Sequence, residues 1–192
     1  MAPTAHPDRR LTYDDFLLFP EDDGLRHEII DGVHYVTPSP GLRHQDLVGR
    51  LYLVLANHLA AHPGSGRVFL SPLDVIFTLH DIVEPDLLFV ASDQLEIMTE
   101  KNIQGAPAIV MEVVSKSTRS RDERIKRELF ERGGVREYWI VDPDRSQLIV
   151  HRREGDGFDA RTTLSADNRD VLTSALIPGF SLAVSDLFKP SI

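Results

Sequence analysis

The chain contains no cysteine. Disulfide scaffolds, thiolate metal centres and cysteine nucleophiles are therefore excluded, and any metal must be held by carboxylate, imidazole or backbone carbonyl. Aromatic residues make up only 7% of the chain, which gives little support to a glycosidase with two carboxylates in an aromatic cleft. No run approaches the roughly 18 apolar residues that a bilayer crossing requires, and the opening Met1–Arg10 has no apolar signal core. The expectation is a soluble, cytoplasmic protein with no membrane partner. Positive charge is also short: 30 acids against 21 bases leave a net charge of -9, which opposes electrostatic coating of nucleic acid.

What is present fits one domain, taken as residues 1–192 with its core at about 11–188, since 192 residues at 42% hydrophobic content can bury a substantial core. The chain is organised around Glu84 to Lys126. Glu84-Pro85-Asp86 opens the apolar run Leu87 to Val90, and Ala108 to Met111 is a second run that ends on Glu112. A helix carrying Asp122 and Lys126 follows. Acids at the ends of strongly apolar segments are unusual, because a buried charge costs several kcal/mol unless it is paired or holds a metal. Mg²⁺ takes hard oxygen ligands, commonly one or two carboxylates with waters and phosphate oxygens. Asp86 and Glu112 at neighbouring strand ends offer such a pair, with Lys126 within reach to orient a water or neutralise charge on phosphorus. A basic window runs from Lys116 to Arg127, with six bases and two acids.

The remaining chain reads as a mixed α/β or α+β fold. Thr12 and Asp15 form a capping box for a short helix over Phe16 to Phe19, and Asp22-Asp23-Gly24 is a turn. Glu28 lies in the first strand of a hairpin turning at Asp31-Gly32. Leu47, Leu51, Leu55 and Leu59 stripe a helix over about 42–62. Residues 67–77 read as one strand bent at Pro72, and 92–104 as a partly helical connection across the sheet. A strand ending at Glu112, a helix, and a strand over Glu137 to Asp142 form a crossover that favours a central parallel pair. A hairpin follows around Gly155-Asp156-Gly157. Tyr138 and Trp139 read as core, and His58 and His62 as surface side chains. His44, near the start of the long helix, is a candidate phosphate contact, with a capping or surface role equally open.

The pattern of Glu28, Glu84-Pro85-Asp86, Glu112-Val113-Val114-Ser115, Asp122 with Lys126, and the block Gly134 to Pro143 resembles the bacterial Uma-type restriction endonuclease family of the PD-(D/E)xK nuclease superfamily. The resemblance runs from about Leu11 to Phe188. It implies a restriction-endonuclease-like core, a central mixed sheet flanked by helices with an added antiparallel hairpin. It also implies a Mg²⁺-dependent endonuclease acting on DNA, with Mn²⁺ able to substitute, and a homodimer for cutting both strands. Carried over by position, Asp86, Glu112 and the Val113 carbonyl bind metal, Glu28 acts on metal or water, and Lys126 is the catalytic lysine. The superfamily lysine usually follows its acid by two residues, where this chain has Val114. Lys116, on the same strand face if the strand continues, rivals Lys126. The second reading is a binding or regulatory module that keeps the fold without turnover.

Overall fold

The two apolar runs become adjacent strands of one sheet, and their order in that sheet places the acids. The computed structural model describes residues 9–20 and 23–189; Asp22 of the expected turn and Met1 to Asp8 of the opening segment lie outside them. Thr12 begins α1 (Tyr13–Phe16), its N–H and its hydroxyl both donating to Asp15 Oδ2 at 2.9 Å. The capping box thus starts the helix at Tyr13, one turn earlier than the Phe16 to Phe19 expectation. β1 (Leu25–Ile30) and β2 (Val33–Pro38) pair antiparallel around Asp31 and Gly32, whose φ of 54° and 75° are those of a hairpin turn. α2 (Leu42–Ala61) carries the leucine stripe.

The expected bent strand over 67–77 is two strands in two sheets. β3 (Gly66–Leu70) ends before Pro72, and β4 (Val75–Thr78) begins again in another direction. Proline has no N–H to give a ladder, so the chain changes sheets there. β5 (Asp81–Val83), β6 (Leu87–Ala91), a 3₁₀ turn at Ser92–Ile97, β7 (Ile103–Gln104) and β8 (Ile109–Val113) follow. A π-helical segment, Arg121–Lys126, leads into α3 (Arg127–Gly133), which ends at Gly134 with φ 93°. The C-terminal part is β9 (Glu137–Asp142), β10 (Gln147–Glu154), β11 (Gly157–Ser165), β12 (Val171–Thr173), β13 (Ser181–Ala183) and α4 (Val184–Leu187).

A six-stranded sheet has the order β11-β10-β9-β8-β6-β3, and a five-stranded sheet the order β2-β1-β5-β4-β7. The expected central mixed sheet is the six-stranded one, with its parallel pair joined by a helical crossover present as β8 and β9, and the five-stranded sheet and the pair β12-β13 are added to it. The six-stranded sheet is apolar on both faces. Phe89, Met111, Trp139 and Val150 pack with Leu47, Leu51 and Leu55 of α2 on one side. Leu88, Val110, Tyr138 and Ile149 pack with Leu129 and Phe130 of α3 on the other. Burial on both faces explains why β6, β8 and β9 read as continuous apolar runs without alternation.

Candidate active site at the sheet end

Pairing of β6 with β8 sets Leu87 opposite Met111, so the residues preceding and following this pair, Asp86 and Glu112, meet at one end of the sheet. The Asp86 N–H donates to Glu112 Oε2 at 3.3 Å, and the Val113 N–H donates to Asp86 Oδ2 at 2.9 Å. Glu28 arrives from β1 of the other sheet, its Oε1 accepting the Glu84 N–H at 3.1 Å. Lys126 closes the group from above. Its Nζ lies 2.7 Å from both Glu28 Oε1 and Glu112 Oε1, and the side chain is only 1% exposed. Asp122, one turn earlier, is also buried, and the Tyr138 hydroxyl donates to its carbonyl at 3.2 Å. The π-helical segment widens the helix by one residue per turn, a local irregularity frequent at functional sites, and here the buried acid and the buried lysine both lie on it.

Cations surround the acids. Arg26 Nη1 lies 2.9 Å from Asp86 Oδ1, and His44 Nε2 lies 3.0 Å from Asp86 Oδ2. Arg121 stands 3.8 Å from Glu28 Oε2 and donates to the Thr37 hydroxyl at 2.6 Å. Burial works against charge on Asp86, but the hydrogen bond and electrostatic pull of His44, the charge of Arg26 and the Val113 N–H together hold its carboxyl well below the usual range. Burial pushes Glu112 up to about 8 against the pull of Lys126, helped by repulsion from Asp86, Asp122 and Glu28. Burial likewise raises Asp122, and it raises Glu84 to about 7 with help from Asp74. Lys126 is raised despite burial, because Glu112, Glu28 and Asp122 all favour its ammonium form. A cavity of about 180 Å³ opens over the group, lined among others by Arg26, His44, Asp86, Glu112, Arg121 and Lys126.

Residues 13–185 match the family described as "Uma2: Putative restriction endonuclease". The chain belongs to the Uma2 family. Among solved structures, it is similar to a "putative nuclease belonging to DUF820" from Anabaena variabilis ATCC 29413. That likeness covers 93% of this chain and 97% of the other at 20% identity and a TM-score of 0.77, and it extends to the fold. No curated protein matches the chain.

In this Uma2 chain the structure brings Glu28, Asp86, Glu112, Val113, Asp122, Lys126 and His44 to one cavity or its wall. It does not bring Lys116. β8 ends at Val113, and Lys116 sits in an exposed turn, so the alternation that would have carried it inward has stopped. The basic window is engaged only in part, with Lys116 and Arg124 exposed. Arg119 pairs with Asp142 and Glu123, Arg127 with Glu131, and Lys126 with the site acids. His44 belongs to the site, its Nδ1 buried without a partner, and the surface alternative is corrected. Arg26 and Arg121 were missed by sequence reasoning. Arg26 had a signal, since alternation puts it on the same face as Glu28 two residues on. Arg121 had none beyond its place in the basic window.

Proposed function

We propose that the chain is a metal-dependent phosphodiester hydrolase acting on DNA, an endonuclease of PD-(D/E)xK type whose lysine has moved from the strand to the helix. The observation that carries this reading is the lysine bridging two buried carboxylates, Glu28 and Glu112, beside Asp86. The donor set suits a hard cation. Glu28, Asp86, Glu112 and Asp122 outnumber the permanent cations Arg26, Arg121 and Lys126, and Glu28 Oε2 is buried with no hydrogen-bond partner. Among the described residues no three carboxylate or imidazole side chains converge as metal ligands. A Mg²⁺ site does not require three, since the ion commonly uses one or two protein carboxylates and fills its remaining positions with water and phosphate oxygens.

Asp86, Glu112 and the Val113 carbonyl would hold Mg²⁺ or Mn²⁺. When bound, the ion lowers the pKa of water and stabilises charge developing on phosphorus. Lys126, fixed by Glu28 and Glu112, presents an ammonium that orients the attacking water and offsets the added negative charge. Glu28 keeps Lys126 in place, with Arg121 3.8 Å from its second oxygen. Arg121 and Arg26 reach the cavity wall as donors for phosphate oxygens.

One observation favours the alternative, a binding module without turnover: both oxygens of Asp86 are already engaged, by Arg26 and by His44. Hydrolysis of bis(p-nitrophenyl) phosphate and of labelled DNA in Mg²⁺ or Mn²⁺, with a parallel thermal melt, separates the two. The expected result is hydrolysis abolished by chelator and reduced about 10²-fold or more in Asp86→Ala and Glu112→Gln. A metal-induced rise in melting temperature that Asp86→Ala lacks should accompany it. If wild type and both variants are equally inert and melt alike with and without metal, the module reading replaces the hydrolase.

A further inference from the structure

We propose that the chain carries a second ligand site, for a nucleoside monophosphate either free or at the end of a strand, in the cavity lined by Arg127, His151 and Arg161. The proposal goes beyond the hydrolase reading and does not depend on it. The cavity, of about 380 Å³, lies between the helical stretch 121–133 and the β10–β11 hairpin. It shares no lining residue with the cavity over Asp86. Ile140, Ile149 and Phe158 give it apolar wall, and Glu123 completes it. Small-molecule sites begin at roughly 300 Å³ and combine apolar walls with a few placed polar groups, as this cavity does.

His151 is the observation that points to a ligand. It is only 7% exposed and lines the cavity, yet its ring makes no hydrogen bond among the described residues. A buried polar group without a partner costs about 1–3 kcal/mol, and a ligand hydrogen bond removes that cost. Burial, Arg161 and Arg127 push the imidazole down to about 4 against the pull of Glu131, so it is neutral and offers one donor and one acceptor. Arg161 stands directly opposite His151 on β11, exposed and without an ion pair or hydrogen bond among the described residues. Arg127 comes from the helix, held by Glu131 at 2.8 Å. Two guanidinium groups from different elements thus flank the cavity, and the separate oxygens of one phosphate can accept from both. Glu123 and Glu131 oppose an anion, but each already lies beside a guanidinium, Glu123 with Arg119 at 3.3 Å and Glu131 with Arg127. The charge of Arg161 is left unmatched. A phosphate between the arginines, with its base or sugar against Ile140, Ile149 and Phe158 and bonded to His151, uses the groups that the cavity presents.

The test is calorimetric titration of the full chain in EDTA with deoxyadenosine monophosphate, deoxyadenosine, inorganic phosphate and benzoate. The expected result is that the nucleotide binds about tenfold or more tighter than any of the other three, since phosphate and nucleoside each contribute. Arg161→Ala, at an exposed position, should weaken nucleotide binding about tenfold or more, whereas Arg121→Ala in the other cavity should leave it unchanged. The His151 Cε1 proton should shift in the nuclear magnetic resonance spectrum as the nucleotide is added. A 5′-phosphorylated trinucleotide that displaces the nucleotide assigns the site to strand ends, and nucleotide binding that it does not displace assigns the site to free nucleotides. No nucleotide binding, any of the other three bound as tightly, or weakening by Arg121→Ala in place of Arg161→Ala overturns the inference. None of these outcomes bears on hydrolysis in Mg²⁺, so the two readings stand or fall separately.

Discussion

Lys126 is the residue on which the site turns. A fully buried ammonium is tolerable only because it is matched by carboxylates at hydrogen-bond distance, and those carboxylates are tolerable only because of it. Lys126→Met removes the cation and leaves Glu28 and Glu112 buried with mutual repulsion. In metal-free protein at about pH 8 the expected loss is about 3 kcal/mol or more, read from urea unfolding. The pH dependence has a definite sign. Glu112 is already raised to about 8 in the wild type, and loss of Lys126 removes a contribution that lowers it. A carboxyl raised above its unfolded value contributes stability below about pH 4.5 that is lost as pH rises through the folded value. The gap between Lys126→Met and wild type should therefore stay level up to about pH 8, where Glu112 is protonated in both folded proteins, and widen above it. A gap that does not widen above about pH 8 would show that the ammonium does not hold the acids. At this scale the sequence was informative about Asp86, Glu112 and Lys126, because apolar runs ending on acids stand out. It was poor for Arg26 and His44, whose role comes from a contact with Asp86 across 60 and 42 positions of chain, which no local pattern encodes.

Elements were legible where periodicity is strong and obscure where two sheets divide one apolar stretch. The leucine stripe of α2, the Asp31-Gly32 hairpin and the β8 to β9 crossover follow from spacing and turn chemistry. The separation of β3 from β4 had a fainter signal, a slip of the apolar alternation from Val68 and Leu70 to Leu73, Val75 and Phe77 across Pro72, where the backbone changes partner. The π-helical segment was invisible. Its hydrogen-bond register is a backbone property, and its residues fit an ordinary helix equally well. Where β3 joins the sheet, Gly66 adopts φ 141°, and a Cβ there would lie 2.4 Å from the Val90 carbonyl oxygen and 2.7 Å from the Phe89 ring. Both obstacles are rigid, backbone and buried aromatic. Gly66→Ala should therefore cost about 2 kcal/mol or more, by displacing β3 from β6 and disturbing the approach of β6 to Asp86. Gly64→Ala, also at positive φ but with open space around its Cβ, isolates the backbone penalty and should cost about 1 kcal/mol. Equal melting temperatures for the two variants would contradict the steric account.

For the molecule as a whole, composition gave the sum of charge but not its arrangement. The net charge of -9 is readable from the sequence, whereas the pairing of Arg119, Arg132 and Arg136 with acids elsewhere in the fold is not. That pairing decides how nucleic acid can be held. A protein that neutralises six to ten duplex phosphates loses affinity steeply with salt, because each phosphate contact releases condensed counterions. Here the arginines lining the cavity over the site are Arg26 and Arg121, and Arg26 is shared with Asp86. About two phosphates can be neutralised, so for a single strand the slope of log affinity against log salt should be about -1.4. The measurement is fluorescence anisotropy of a labelled strand on Glu112→Gln across a salt series. A slope steeper than about -5 would require a wider basic surface than Arg26 and Arg121 offer, one that draws in exposed cations such as Lys116 and Arg124. A shallow slope with retained affinity would mean that contacts to sugar and phosphate in the cavity supply what surface charge does not.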